Sequence, residues 1–592
     1  MNKKILLLTI CLLACCACFA QSSMPAFRNV VQKFLGQYAP VRTDALSFAR
    51  KRDGWYVCIT DATMPGKEPA EYQYWKTGKG YLPLGQRFAR QTMSGDEAAG
   101  AYLLQHSTDV YAFDRCPYFG YTHWDRDIIK DFSAQPNKSD KTLEALARAC
   151  SNHASKYLWN QYSHVNVLDD SLMAPLTPLA APGAMRIARA EEYYRRAVGY
   201  YRELCIQNPH YQTLIGDARL RLFNEGMSAW LHMVLAHDQE SAAAFLKDVV
   251  LDEEQVNIAR NTLSACAPNS ILFTYGDNNT FQLWYVQQKL HEFTGIKVIN
   301  MDLLALPVYP LYVSGQLGVK IRTSPECYSD MTMDYALYRP DGSGRSTLSD
   351  WLDDIRNQWR NRDLSDGKTV FHYKSLAPVL KLQNESEEVY PGVNAGNTIR
   401  ISLSSYVTRD ALLQLDIIEG NINDMPIYYT DEKSMLKKSF MDLGQVLQVV
   451  PADDSEAAGI ADDADEIVVR YMESVYRPVH FPAHCDNGYR MAADREFNSR
   501  MRMVKYYARM HKDPEQARAM DELYLYAKKD AQKLYSNQVK VGELLLAQGR
   551  TEQGQEVIEL AAGVCFEELK NPANPAYPIS NAYALEFIQY SR

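Results

Sequence analysis

The sequence predicts a multidomain protein of α+β / α/β class, with an α/β core built on a βαβ unit and flanked by tetratricopeptide-like helical hairpins. Three observations carry that prediction. A chain of 592 residues is too long for one hydrophobic core, so roughly two to four domains are expected. Between Ser270 and Met301 a strand-like apolar run, a tight turn, a helical stretch and a second strand-like run follow one another, the order of a parallel βαβ unit. On either side lie long Ala- and Tyr-rich stretches with apolar residues at helical spacing.

The chain begins with a segment read as an address. Lys3 and Lys4 form a short basic start, Ile5 to Leu13 an apolar run, and small residues lead to Ala20-Gln21. This is the layout of a cleaved signal peptide, too short to span a bilayer. No later stretch approaches the ~20 apolar residues a spanning helix needs. Two processing routes fit. Cleavage after Ala20 releases a free chain starting at Gln21. Leu12-Leu13-Ala14-Cys15 also resembles a lipobox, which makes Cys15 a lipidation candidate and the chain a lipid-anchored one. Either route predicts a periplasmic or outer-membrane-associated protein without a transmembrane span.

Composition narrows the partners. The net charge of -9 becomes -11 once Lys3 and Lys4 leave with the signal, which argues against nucleic acid and against an anionic membrane surface. The 39 tyrosines and 8 tryptophans suit platforms for glycan or peptide ligands, but their helical spacing points more to packing positions. The cysteines beyond the signal (Cys58, Cys116, Cys150, Cys205, Cys266, Cys327, Cys485, Cys565) form no C-x-x-C pair. Zinc ribbons and thioredoxin chemistry therefore lack support, and mostly buried thiols are expected.

After the signal peptide (1–20), an N-terminal mixed α+β region is expected over 21–170. Trp55 to Thr60 alternates aromatic and β-branched residues as a strand does, and Tyr72-Gln73-Tyr74-Trp75 repeats the signal before the Gly78 and Gly80 turn. Thr142 to Trp159 reads as a helix and Met173 to Gly183 as a linker. The region 185–262 is helical. In it Ala197, Tyr201, Leu204 and Pro209 fall at the offsets of a tetratricopeptide helix, where a small residue admits the neighbour and proline ends the pair. The α/β domain is expected over 265–450, with further strands at 369–373, 398–403 and 426–430 and a helix at 409–418. The seven carboxylates between Asp453 and Glu466 predict an acidic flexible insertion at 451–467. A C-terminal helical region, 468–592, carries a second partial repeat match at Val541-Gly542, Leu545, Gly549, Gly554, Ile558 and Ala561.

Two stretches offer candidate ligand-binding residues. In an open α/β sheet ligands bind outside the carboxyl ends of the strands, where helix N-termini present free N–H groups. Asp277, Asn278, Asn279 and Thr280 fall there and suit a sugar hydroxyl or a peptide terminus; the alternative is that Asp277 or Asn278 only caps the helix. The second stretch, Tyr118 to Asp127, sets Tyr121, His123 and Trp124 beside Asp125 and Asp127. It reads either as a sugar-binding wall with a carboxylate pair or as the opening of a helix with acidic residues in its first turn. No zinc-protease, P-loop, nucleophile-elbow or dinucleotide motif is present. No metal site or cofactor is predicted, and catalytic residues stay unassigned.

The run Asn269-Ser270-Ile271-Leu272-Phe273-Thr274-Tyr275-Gly276-Asp277-Asn278-Asn279-Thr280-Phe281, continuing to Leu283-Trp284-Tyr285, resembles the soluble C-terminal region of bacterial protein O-mannosyltransferase-like membrane proteins. Further stretches match in the same order: Val298 to Leu304, Leu415-Asp416-Ile417-Ile418, Pro426-Ile427-Tyr428-Tyr429, and Leu443-Gly444 leading to Val449-Val450-Pro451. The resemblance covers roughly residues 265–592. It implies an extracytoplasmic accessory domain. Glycosyl transfer in that family belongs to a multi-helix membrane domain using a lipid-linked sugar, so no catalytic residue carries over. Asn279 stands where the family's turn carries aspartate, and Met425 where an arginine is common. The expectation is an exported, non-catalytic binding or scaffold protein with a protein or glycan partner in the bacterial envelope, accessory to glycoprotein or envelope assembly. The alternative is a soluble carbohydrate-active enzyme with a carboxylate-lined cleft.

Overall fold

The computed structural model describes residues 24–39, 45–60, 69–85, 88–90, 95–159, 179–329, 335–340, 346–360, 371–382, 397–432, 434–451, 457–480, 487–529 and 535–569. The signal segment with Cys15 lies outside these residues, as does most of the expected linker. The chain divides into two compact units: residues 1–225 with 232–241, and residues 226–231 with 242–592. The mixed α+β, multidomain architecture is the one the sequence predicts. Among the described residues no helix is long and apolar enough to cross a membrane.

In the first unit, helix α1 (Phe27–Leu35) packs on an antiparallel meander of β1 (Leu46–Lys51), β2 (Gly54–Ile59), β3 (Ala70–Lys76) and β4 (Gly80–Tyr81). Its core is aromatic. The Phe27 ring stacks on Trp55 at 5.7 Å and meets Phe113 at 4.4 Å, while Phe34 meets the edge of Tyr74 at 5.5 Å. The Trp55 indole, wholly buried, donates to the Pro25 carbonyl at 2.9 Å, so its one polar atom is satisfied. Helix α2 (Trp124–Phe132) leads into the hairpin of α3 (Asp140–Trp159) and α4 (Ala184–Gln207). Ala197, Tyr201 and Leu204 are fully buried in α4, as their spacing predicts. A buried carboxylate, Glu144, sits in α3. It accepts from the hydroxyls of Tyr111 and Tyr211 and lies 3.6 Å from Arg115, which offsets the cost of desolvating it. Helix α5 (Ala218–Leu235) follows and is divided between the units.

The second unit holds the α/β core. After α6 (Glu253–Ser264), strand β5 (Ile271–Thr274), helix α7 (Asp277–Gln288) and strand β6 (Lys297–Asn300) form the expected βαβ unit, with β5 and β6 parallel in the register Ile271↔Lys297. The apolar pattern alone reads as a helix over 281–293, whereas the helix begins four residues earlier and ends at Gln288. Gly276, at φ 74°, turns the chain straight from strand into helix, a conformation that favours glycine. At the other end the Gln287 amide donates to the carbonyls of Phe293 and Ile296 at 2.9 and 2.8 Å, where His291 and Phe293 adopt positive φ.

Strands β7 (Tyr335–Tyr338), β8 (Phe371–Tyr373) and β9 (Tyr406–Thr408) make a separate small sheet, in which α8 (Leu348–Arg360) and α9 (Arg409–Asn421) are its helical neighbours in sequence. The matched residue Asp416 is structural. Buried in α9, it accepts from the N–H groups of Arg322 and Thr323 at 3.1 and 2.7 Å and from the Arg356 guanidinium at 2.8 Å. Strand β10 (Ile427–Tyr429) then adds in parallel to the free side of β5. Strands β11 (Phe440–Asp442) and β12 (Leu447–Val449) extend the sheet antiparallel, giving the order β11-β12-β10-β5-β6.

The acidic segment departs from expectation. Residues 457–474 form helix α10 (Ala457–Ser474) rather than a flexible insertion. Ala464, Val468 and Tyr471 are buried at i, i+4 and i+7, an amphipathic stripe that the carboxylates conceal. Asp465 accepts from the Arg502 guanidinium at 2.6 Å. Helices α11 (Asn487–Arg509), α12 (Asp513–Lys529), α13 (Tyr535–Ala547) and α14 (Thr551–Leu569) complete the unit. In the α13–α14 hairpin two glycines set the spacing. A Cβ on Gly542 would lie 3.0 Å from the Gly554 carbonyl, and one on Gly554 would lie 2.9 Å from the Gly542 carbonyl.

Gly554→Val is therefore expected to overpack this hairpin by about 1–3 kcal/mol. Hydrogen exchange across 535–569 checks it: protection should fall in the variant, and unchanged protection would contradict the close approach.

Candidate functional site

The carboxyl ends of β5 and β10 define the site. The connection after β5 passes through α7 to β6 on one side of the sheet, whereas β10 leads toward β11 and β12 on the other. Where neighbouring parallel strands feed opposite sides, their ends leave a crevice.

The turn after β5 is held from beneath. Thr280 is fully buried. Its hydroxyl donates to the Gly276 carbonyl at 2.8 Å, accepts from the Asn300 amide at 3.1 Å and lies 2.7 Å from the Thr274 hydroxyl. The Asn300 side-chain oxygen in turn accepts from the N–H of Asp302 at 2.9 Å, and the Asp302 carboxylate accepts from Gly276 N–H at 3.0 Å. Thr280, expected at the surface as a ligand group, is thus an internal tie between β5, α7 and β6. The N-cap position is Gly276, with Asp277 and Asn278 following it inside the first helical turn. Asp277 is exposed in the first helical turn, where a carboxylate suits the helix dipole. Asn278 is half-buried beside it. Asn279, also half-buried, donates to the Tyr275 carbonyl at 3.1 Å and faces the crevice.

The crevice is lined by Ala259 and Thr262 of α6, Asn279 and Gln282 of α7, Thr430 after β10, and Arg495 of α11, with Ile258, Leu283, Met491 and Ala492 as its apolar surface. Its empty volume is about 340 Å³, including the part open to solvent. Two of its polar groups are under-used. The Arg495 guanidinium donates to the Thr430 carbonyl at 2.8 Å and has no ion pair within 4.0 Å among the described residues. Burial lowers its pKa, against the pull of Asp431, Asp494 and Asp442. Gln282 is 6% exposed, and its amide makes no hydrogen bond to a described residue.

Arg495 and Gln282 are absent from the sequence-derived candidates. Gln282 falls between the matched residues Phe281 and Leu283 and reads as an ordinary helical residue. Arg495 lies 215 positions beyond Thr280 in a helix with many arginines, and no local pattern marks it. Met425 precedes β10 at its amino end, the opposite end of the strand from the crevice, so the arginine replaced there does not bear on this site.

The second candidate set belongs to the first unit. Asp125 and Asp127 both fall in the first turn of α2, where residues two apart point to different sides of a helix. Asp125 is fully buried and is paired with the His153 imidazole at 2.9 Å and the Lys156 ammonium at 2.8 Å. Asp127 accepts from the Tyr121 hydroxyl at 2.8 Å and lies 3.3 Å from Arg52. Each carboxylate has its own partners, so they do not form the acid/base pair entertained for them. Trp124 packs its ring on Phe119 at 5.3 Å, and Tyr121 lies under the Lys51 ammonium at 5.2 Å. His123 is half-buried, with Nδ1 buried and without a hydrogen-bond partner among the described residues.

Burial alone would raise the Asp125 carboxyl, but the His153 hydrogen bond and the charges of Lys156 and His153 hold it below the usual carboxylate value. Its contribution to stability is then present above the unfolded value of about 3.9 and is lost as pH falls through the folded pKa. Asp125→Ala should destabilise the first unit by about 3–5 kcal/mol at neutral pH. Melting curves from pH 7 to 3 check both statements: wild type should lose stability below about pH 4, and Asp125→Asn should lose less. Parallel curves would contradict the ion network.

Residues 255–466 match the family described as TMEM260-associated domain 2, a span that runs from α6 through the five-stranded sheet into α10 and stops short of Arg495. No curated protein and no solved structure matches the chain.

Proposed function

We propose that this chain is an exported, non-catalytic binding protein of the bacterial envelope, and that it takes its ligand in the crevice at the carboxyl ends of β5 and β10. One observation carries the reading: an arginine and a nearly buried amide from different helices converge on the switch point between two parallel strands with hydrogen-bonding capacity left over. Such a position is where open α/β sheets take ligands. The tie through Thr280 and Asn300 fixes the turn in advance, so little ordering is required when a ligand arrives. The basic-then-apolar N-terminus supports export, with Gln21 or Cys15 as the mature first residue. The resemblance to O-mannosyltransferase-like proteins and the match at 255–466 support an accessory role in glycoprotein or envelope assembly, with a protein or glycan partner.

The alternative, a soluble carbohydrate-active enzyme, needs a carboxylate pair across a cleft. The residues that line this crevice include neither aspartate nor glutamate.

Thermal melting of the full chain against a panel of sugars, amino acids and short peptides tests the proposal. At least one compound should raise the melting temperature by a few degrees, since saturation at about a hundred times Kd adds ~2.7 kcal/mol. Arg495→Gln should abolish that rise. A rise that survives Arg495→Gln would move the site elsewhere. Glycan hydrolysis by the wild type that is lost in Asp277→Asn would favour the enzyme.

A further inference from the structure

We infer that the group bound in this crevice is a carboxylate, held by the guanidinium of Arg495 and the amide of Gln282. The inference rests on the crevice being the ligand site and specifies the ligand's chemistry. It is drawn from three features of that place.

The donors come first. A guanidinium carries five N–H groups in a planar fork that matches a two-oxygen acceptor. The Arg495 guanidinium directs one nitrogen, Nη2, to the Thr430 carbonyl and makes no other hydrogen bond to a described residue. Gln282, nearly enclosed, presents an amide with two further N–H donors and no partner among the described residues. Arg495 comes from α11 and Gln282 from α7, so they approach the same space from different walls.

The surrounding charge comes second. Asp431, Asp494 and Asp442 act on Arg495 through their fields, yet none lies within ion-pair distance of it. The cation therefore sits in the field of three carboxylates without an ion pair to any described residue. A monoanion can pair with the single guanidinium in such a setting. The same three carboxylates oppose any anion, and they oppose a phosphate, with about 1.5 to 2 negative charges near pH 7, more strongly than a monoanion. Phosphate sites also gather several cations, and the lining here supplies one.

The third feature is the apolar wall. Ile258, Ala259, Leu283, Met491 and Ala492 lie beside the two donors, so a carboxylate attached to a small apolar or ring carbon fits better than a free, fully hydrated anion. Two sources share that chemistry in an envelope: the carboxyl end of a peptide and an acidic sugar.

Calorimetric titration of the full chain with N-acetylalanine, glucuronate, N-acetylalanine amide and inorganic phosphate tests the assignment. N-acetylalanine or glucuronate should bind, and which of them binds identifies the source. The amide and phosphate should bind at least tenfold more weakly, since a charge-assisted hydrogen bond is worth roughly ten- to hundredfold in affinity. Arg495→Lys keeps the charge but loses the fork and should weaken the carboxylate by about tenfold. Gln282→Glu sets a carboxylate against the ligand and should abolish binding while Arg495 remains. Circular dichroism of both variants confirms folding, and Arg495→Lys alone decides if Gln282→Glu does not fold. Phosphate or the amide binding as tightly as the carboxylates, with loss in Arg495→Lys, would overturn the carboxylate while leaving the crevice as the ligand site. Carboxylate binding indifferent to both variants would overturn the crevice itself. Failure of both carboxylates to bind would overturn the assignment, and the crevice would still be judged by the wider panel.

Discussion

The hydroxyl of Thr280 is the contact on which the core of the second unit turns. It satisfies the Gly276 carbonyl, takes the Asn300 amide and meets the Thr274 hydroxyl. One oxygen thereby joins the end of β5, the first turn of α7 and the end of β6. All three elements would otherwise bury unmatched polar groups, each costing about 1–3 kcal/mol. Satisfying them together locks the turn into one geometry and leaves the adjacent crevice formed before any ligand arrives.

The scaffold around that contact was largely legible in the sequence. Ile271 to Thr274 and Lys297 to Asn300 are short apolar runs, and a buried parallel strand has no polar face to blur its signal. Gly276 marks the turn because only a positive φ takes the chain so abruptly from strand to helix. Ala197, Tyr201 and Leu204 are buried as their helical spacing requires. Composition misled at 457–474, where the many carboxylates in the sequence hid a stripe of Ala464, Val468 and Tyr471. Average acidity carries no information about which side of a helix is wet.

Site residues were less legible, for a physical reason. Thr280 and Asn279 share a motif, yet the helix rotates one into the interior and the other to the crevice, and the letters alone do not say which. Asp125 and Asp127 look alike in sequence. One is sealed against His153 and Lys156, the other is tied to Tyr121 and Arg52. Arg495 reaches the site only through the packing of α11 against the sheet end, a contact between segments more than 200 residues apart. Long-range packing of that kind leaves no local periodicity to read.

Hydrogen exchange on Thr280→Val measures the central claim most directly, because the substitution keeps shape and removes the one oxygen. If that hydroxyl holds the crevice preformed, exchange should quicken at 275–283 and 300–303, and global stability should fall by about 1–3 kcal/mol. Unchanged exchange at both segments, with wild-type stability, would contradict it.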